Sequence, residues 1–436
     1  MKMLIYIKSS KIILYLMGND ESDCLHSEYG YIYILTSKSN YYPGDIVSGN
    51  VYILQTKDFP CSILELTIRG REKVKWEELA TGNQSNKENN SLIPKQEFLD
   101  KKELFRITQG LSEFKEGILQ KGQYNFPFIF SIPESFPGSF EMSYGFIKAK
   151  ISYSIKCVLR TSSANCKDLT FKQRLIISQK PKASILNELR KASSMIKSCL
   201  FSKGVSSISC RFEKDSYLTG ETSKLLLSID NEHCTAVMKS ISVTLKQQAV
   251  FMIEKNSSSK VKNLDRVLFS KEFDGIPANN TTLNPRILEL ELVDVNQLYA
   301  NPLVTKVDPI QPFIESSLIK CNYILSIEPF YETSCNCYDR PIILMPLYII
   351  HPPLPNWNGV KIPSNWRPVD MKTTNIIFSP GQIQLSFYRP SFTNTIQIGN
   401  KESEQNSANP FFNQESQPLN KRTGFKDVSI ELELKK

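Results

Sequence analysis

Few residues of this sequence have the types and spacing that catalysis or metal binding requires. The three histidines, His26, His233 and His351, lie far apart, and none belongs to an HExxH zinc motif. Glycine-rich phosphate loops and the G-x-S-x-G signature of serine hydrolases are also absent. Cys335-Asn336-Cys337 has the spacing of half a zinc site, but no matching pair follows, so a surface loop is the favoured interpretation. The sequence therefore predicts a protein that is not an enzyme and has no metal or cofactor.

Charge and composition narrow the function classes further. Lys and Arg number 53 against 44 Asp and Glu, so the net charge of +9 is a modest excess for 436 residues. This excess suits an anionic membrane or a phosphorylated tail, and it is equally consistent with no charged partner. No basic run interleaved with aromatics indicates nucleic acid. With 41% apolar residues, the chain can fill the cores of two or three domains.

The first residues of the sequence indicate the cellular compartment in which the protein is expected. Residues 1–24 are predicted to be an extension, in which Lys8 and Lys11 divide an apolar run and no cleavage site of a signal peptide follows. Translation from Met17 would fit the N-myristoylation pattern with Gly18 acylated, although a chance match explains the same residues. One acyl chain anchors only weakly. We therefore expect a cytoplasmic protein with peripheral association at the plasma membrane or endosome.

Alternating side chains indicate strands throughout the folded part of the chain. In residues 126–130, three phenylalanines alternate with Pro127 and Ile129, and a corner rich in proline follows at 132–138. From Ile147 to Cys157, apolar residues fall on one face and lysines and serines on the other. This is the pattern of a long strand with one face on a core and the other in water.

A turn and its flanking strands occur twice. The motif Tyr-x-x-Gly-Asp at 41–45 recurs as Tyr-x-x-Gly-Glu at 217–221, and each copy is followed by two strand-like runs. The glycine permits a positive φ, and the acid that follows it can accept hydrogen bonds from nearby N–H groups. The recurrence predicts two copies of one antiparallel β-sandwich.

Both copies resemble the arrestin and arrestin-domain family. The first has Gly-x-Tyr-x-Phe-Pro-Phe at 122–128 and Ser-Phe-Glu at 139–141, and the second has Ile-Asp-Asn at 229–231 and a matching strand at 316–325. The resemblance covers about 30–352 and implies an arrestin fold, that is, two tandem immunoglobulin-like antiparallel β-sandwiches. The predicted domains are an N-terminal extension (1–24), an N-domain (25–180), a linker (181–204), a C-domain (205–353) and a disordered C-terminal tail (354–436).

Two of these segments carry further expectations. For 181–204, a helical stripe that serves as an interdomain helix or a basic membrane contact is an alternative to the favoured linker. In the tail, Asn409-Pro410-Phe411 is the kind of turn that endocytic EH domains bind, although three residues also recur by chance. Strand-like residues 383–388 and 428–434 also lie in the tail, and the latter could add to a sheet edge.

The resemblance implies a non-catalytic adaptor that binds the tails of membrane-protein cargo and recruits endocytic machinery. Sheet edges and basic loops, such as Lys73 and Lys75, are expected to carry the cargo. Pro352-Pro353 is not followed by the x-Tyr of ligase-recruiting members, and Ser48 stands where phosphate-switched arrestins have an acid. No phosphate-triggered activation is therefore predicted. A retromer-like arrestin-fold coat subunit in endosomal sorting and a structural or ligand-binding β-sandwich protein remain as alternatives.

Overall fold

All regular structure in the described part of the chain is β-strand. The computed structural model describes residues 28–79, 95–179, 188–199, 201–255, 258–293, 310–333, 340–352 and 366–378. Within these ranges the elements are strands alone, which confirms the predicted all-β class. A helix with the length and apolar character needed to cross a membrane is absent from the same ranges.

The first sandwich consists of two sheets that face each other across an apolar core. One sheet has the order β1–β3–β7, and the other has the order β2–β10–β9–β4–β5, with β6 on β4 and β8 on β9. Phe126, Phe128 and Phe130 point inward from β7 and are at most 2% exposed, as the alternation predicts. The strands are β1 (Gly30–Thr36), β2 (Asn40–Tyr41), β3 (Ile46–Gln55), β4 (Phe59–Leu79), β5 (Lys95–Glu113), β6 (Ile118–Leu119), β7 (Gly122–Ser131), β8 (Phe140–Tyr144), β9 (Ile147–Thr161) and β10 (Leu169–Ile177).

The second sandwich repeats this plan. Its strands are β11 (Arg190–Ser198), β12 (Phe201–Phe212), β13 (Tyr217–Leu218), β14 (Thr222–Asn231), β15 (Met238–Lys255), β16 (Ser258–Ile276), β17 (Asn280–Thr281), β18 (Arg286–Glu291), β19 (Ile314–Glu315), β20 (Ile319–Tyr331), β21 (Ile343–Pro346) and β22 (Ile349–Ile350). The order β21–β20–β15–β16 matches β10–β9–β4–β5 of the first sandwich. The short strands β2 and β13 each pair in parallel with the last strand of their own sandwich, β10 and β22 respectively. The tandem architecture is therefore confirmed.

The repeated turn has the same hydrogen bonds in both copies. Gly44 and Gly220 have φ values of 88° and 81°. The Tyr42 N–H donates to Asp45 Oδ2 at 3.0 Å, and the Leu218 N–H donates to Glu221 Oε2 at 2.8 Å. Glycine and acid thus have the structural roles that the motif predicts, and the motif is the turn that leads into β3 and β14 rather than a reactive site.

The segment predicted as a linker contains a strand instead. Arg190–Ser198 forms β11, which pairs antiparallel with β12 and extends the second sandwich at its edge. Ile196 is fully buried while Met195 is half exposed, so the side chains follow a period of two and not the helical period. A tight turn that includes Cys199, with φ 55°, closes the hairpin, and this local pairing overrides the weak helical stripe.

Part of the tail predicted as disordered is ordered on the first sandwich. Residues 366–378, here called the tail strap, add β23 (Val369–Asp370) and β24 (Thr374–Ile376) in parallel to the free edge of β7. Trp366 covers the outward rings of Tyr33 and Tyr52, and Ile376 is 2% exposed. The two strands are too short to give an alternation signal, so buried anchors hold the strap rather than a long ladder. The strand-like residues 383–388 and 428–434 lie outside the described ranges.

The anchors of the tail strap are expected to stabilise the first sandwich. Trp366→Ala removes a ring that stacks edge-on with Tyr52 at 6.1 Å, and the loss should be about 3 kcal/mol of unfolding free energy. Chemical denaturation followed by tyrosine fluorescence measures it. Val369→Ala, at a position 58% exposed on the same strap, should stay within about 0.5 kcal/mol of the parent. Equal stabilities of the two variants would mean that the strap is not held by its anchor.

Candidate functional site

The outward side of the larger sheet of the first sandwich is strongly basic. Odd-numbered residues of β4 from Arg69 to Lys75 point outward because the even-numbered residues fill the core, and pairing places basic residues of β5, β9 and β10 beside them. We call this surface the basic face. Its cations are Arg69, Arg71, Lys73, Lys75, Lys101, Arg106, Lys148, Lys150, Lys156, Lys172 and Arg174, and its carboxylates are Glu77, Glu97, Glu103 and Glu141.

Like charges lie directly opposite one another in the middle of this face. Lys73 pairs with Lys101 on β5 and with Lys150 on β9, so three lysines form a row across three strands. Side chains in such pairs are about 5 Å apart at Cβ, and like charges at that distance disfavour folding. Lys150 donates to Glu141 at 2.9 Å, whereas no carboxylate of the described residues pairs with Lys73 or Lys101.

The carboxylates offset the basic face at its two ends and at Lys150, where Glu141 pairs with one lysine of the central row. Lys75 donates to Glu97 at 2.8 Å, and this hydrogen bond raises the pKa of Lys75 and lowers that of Glu97. Arg69 and Arg106 both contact Glu103. The centre therefore retains a positive potential that attracts anionic groups, and an exposed sheet face of this kind suits an extended acidic segment better than a small ligand.

The matching face of the second sandwich has the opposite character. At outward positions of β15, β16 and β20 it presents serine, threonine and glutamine together with Asp265, Glu272, Asp274 and Glu328. Lys246 and Lys320 are its cations at paired positions of those three strands, and Lys239 is exposed at the bulge of β15. Because the two sandwiches share one topology, the fold does not require lysine at these positions. The basic face is a property of the first sandwich alone.

The residues singled out in the sequence fall into three groups. Lys73 and Lys75 lie on the basic face, within β4 between β5 and β9, and not in a loop or at a sheet edge as predicted. Ser48 is exposed on β3, and its carbonyl oxygen accepts a hydrogen bond from the Ser37 N–H at 2.8 Å. Asn409, Pro410, Phe411, Gly18 and the Cys335–Cys337 loop lie outside the described residues and remain predictions.

The basic face also includes residues that the sequence analysis did not assign to a site. Lys148 and Lys150 were on the polar side of a predicted strand, but their neighbours across the sheet were unknown. Lys101 gave no signal of its own. The register between strands shows which side chains lie next to each other across the sheet, whereas alternation within one strand does not.

Burial shifts the pKa values of several cysteines and of one histidine toward their neutral forms. Burial raises the pKa of Cys61 and of Cys321 to about 11 and that of Cys210 to about 12, so these groups are thiols at neutral pH. Burial lowers the pKa of His351, whose ring lies next to the Pro352 carbonyl. Groups of three or more His, Cys, Asp or Glu side chains that could hold a metal ion are absent from the described residues.

Comparison with known proteins identifies both sandwiches. Residues 31–181 match the family model "Arrestin (or S-antigen), N-terminal domain", and residues 202–354 match "Arrestin (or S-antigen), C-terminal domain". Arrestin domain-containing protein A of Dictyostelium discoideum is 27% identical over 196 residues. That match takes in 44% of this chain and 33% of the relative, so the chain spans about a third of the length of the curated protein it matches.

Burial should decide which thiols react. Under native conditions at about pH 8, iodoacetamide is expected to label the exposed Cys199 and to leave Cys157, Cys210 and Cys321 unmodified, because little thiolate forms at buried positions. Mass spectrometry of native and urea-treated protein measures the labelling. Rapid native alkylation of a buried cysteine would indicate an activated thiol and would revive an enzymatic interpretation.

Proposed function

The chain belongs to the arrestin family, and on that premise we propose that it is a non-catalytic adaptor for membrane-protein cargo. In this proposal the two sandwiches hold an acidic cytoplasmic segment of the cargo, and the C-terminal tail recruits endocytic proteins. The protein would then work in the cytoplasm at the plasma membrane and endosomes. Its mechanism is binding and bridging, with no bond made or broken.

The observation that carries the proposal is the basic face. The lysines of its central row repel one another, and a bound acidic peptide would reduce this repulsion. The equivalent face of the second sandwich has no such lysine row. A strand-like or extended segment laid along β4 would contact Lys73, Lys101 and Lys150 together. Such contacts steer association and are sensitive to salt.

The recruiting arm is a separate part of the proposal. Asn409-Pro410-Phe411 lies in a stretch rich in Asn, Gln and Ser that offers few residues for a core. A short turn in such a stretch can enter a partner's pocket with its phenylalanine ring. If the substitution of one side chain in this motif abolishes binding, the motif and not nonspecific adhesion of the tail accounts for the binding.

Charge reversal on the basic face should weaken cargo binding. We expect Lys73→Glu with Lys150→Glu to lower the affinity for a fluorescent Asp/Glu-rich peptide about tenfold, and raising salt from about 0.05 M to about 0.5 M should have a similar effect. Fluorescence anisotropy measures both. A phosphopeptide of equal net charge should bind alike, since no phosphate-specific switch is predicted.

A matched control is available on the second sandwich. Lys246 is exposed on β15, the counterpart of β4, so Lys246→Glu reverses one charge at the equivalent face, half the change in net charge of the double variant. Its peptide affinity should stay within about twofold of the parent. If this variant weakens binding as much as the basic-face variants do per charge, overall charge and not the basic face would account for the binding.

The tail motif is tested by capture from cell lysate. The full chain should retain EH-domain or other endocytic proteins, and Phe411→Ala should lose them while peptide binding by the basic face persists. Phe412→Ala, which changes the adjacent phenylalanine, is the matched control and should retain capture. If all three proteins capture the same endocytic proteins, the Asn-Pro-Phe motif would be a chance match and not a binding site. Elution of the native protein in one fixed large complex would instead favour the coat-subunit alternative.

A further inference from the structure

The first sandwich buries one carboxylate at its contact with the second. Glu72 lies on the inward side of β4 and is 1% exposed. Its carboxylate accepts hydrogen bonds from Ser316 Oγ, from Ser317 Oγ at 2.8 Å and from the Leu318 N–H at 3.0 Å. All three donors belong to the turn between β19 and β20 in the second sandwich.

We propose that Glu72 is an interdomain latch, whose carboxylate holds the Ser316–Leu318 turn against β4 and thereby fixes the orientation of the two sandwiches. A buried carboxylate is strongly disfavoured unless hydrogen bonds replace its water. The first sandwich does not supply these hydrogen bonds by itself, so the ionised group is satisfied only with the second sandwich docked or with water admitted. This inference is independent of the adaptor role.

Other polar contacts between the sandwiches are more exposed. Lys262 Nζ lies 3.0 Å from Glu78 Oε1, with side chains 38% and 40% exposed. The Glu254 N–H donates to Asp100 Oδ2 at 2.9 Å in an exposed position. Exposed pairs of this kind contribute little because water competes for both partners. Among these polar contacts, Glu72 is therefore the one whose loss is expected to change docking most.

The groups that face Glu72 define its electrostatic environment. From β5, Lys102 donates to Ser317 Oγ at 3.2 Å and attracts the carboxylate. From β9, the buried phenol of Tyr153 faces it, and the pKa of that phenol is raised by burial and by the Glu72 charge. From the second sandwich come the two serine hydroxyls and one N–H. The latch thus combines the Glu72 carboxylate, the Lys102 cation and three hydrogen-bond donors that point at the carboxylate.

The pH dependence of the latch has a definite sign. Burial raises the pKa of Glu72, against the lowering effect of its hydrogen bonds and of Lys102. Separation of the sandwiches would return the carboxyl to water and to its ordinary pKa. Because the docked state has the higher pKa, protonation favours docking, and this contribution is lost as pH rises through the raised pKa. Acidification is therefore expected to keep the latch closed.

Hydrogen exchange of the full chain tests the latch directly. In Glu72→Ala, the Leu318 amide loses its acceptor, and peptides across 314–320 should exchange at least about tenfold faster while peptides within β20 from 323 onward keep their protection. Glu65→Ala is the matched control, because Glu65 lies on the same strand and pairs with Arg160 inside the first sandwich. Equal exchange of 314–320 in the two variants would overturn the proposal.

A second readout reports docking itself. Carbodiimide couples Lys262 to Glu78 only when the sandwiches are together, and mass spectrometry quantifies the product. Glu72→Ala should lower the yield about threefold or more, and Glu65→Ala should not. Should Glu72→Ala fail to fold, Ser316→Ala with Ser317→Ala removes two donors without touching the first sandwich, and Ser317→Asp places a second carboxylate beside Glu72. Unchanged yield and exchange in both of these, or opening of the parent at about pH 5, would overturn the proposal.

Discussion

The period-two geometry of β4 is the constraint on which both surfaces of the first sandwich depend. Leu64, Leu66 and Ile68 fill the core from one side of this strand, and the same alternation continues to Val74 and Trp76. Glu72 shares that inward side, whereas Lys73 is the next residue and points outward. A shift of one residue would bury the lysines and expose the leucines. Core, basic face and interdomain contact are therefore set together by one register.

The neighbouring strand β5 shows how a local irregularity distributes charge. Its pairing with β4 shifts between Gly70 and Arg71, so Leu104 and Phe105 are both buried although they are adjacent. The shift turns Lys101 to the basic face and Lys102 toward the second sandwich. Gly70 permits this packing, because a Cβ there would lie 2.5 Å from the Phe105 ring. Without the bulge, the parity of the two lysines would be reversed.

These details explain what the sequence predicts and what it leaves open. Long strands such as β9 and the repeated turns were predictable because their signals are local: alternation over many residues, and a glycine followed by an acid. The family resemblance extended that local reading to two sandwiches. The tail strap was missed because its stability comes from partners distant in sequence, such as Tyr52 for Trp366. The strand β11 was missed because its residues also have a weak helical pattern, although its partner β12 follows directly in the chain. The lysine row could be predicted only in part. Alternation indicated the polar side of each strand, but it did not give the register of that strand with the next one.

The contact between the sandwiches combines two interactions with different consequences. Buried apolar residues of both sandwiches form one continuous cluster, which favours association but has little directional preference. Glu72 contributes direction, because its carboxylate is satisfied in one arrangement of the Ser316–Leu318 turn and not in its neighbours. Replacing a buried charge by an apolar group often costs no stability, so a carboxylate at this place is better explained by specificity than by strength. On this view the apolar cluster keeps the two sandwiches together, and one buried acid selects the angle between them.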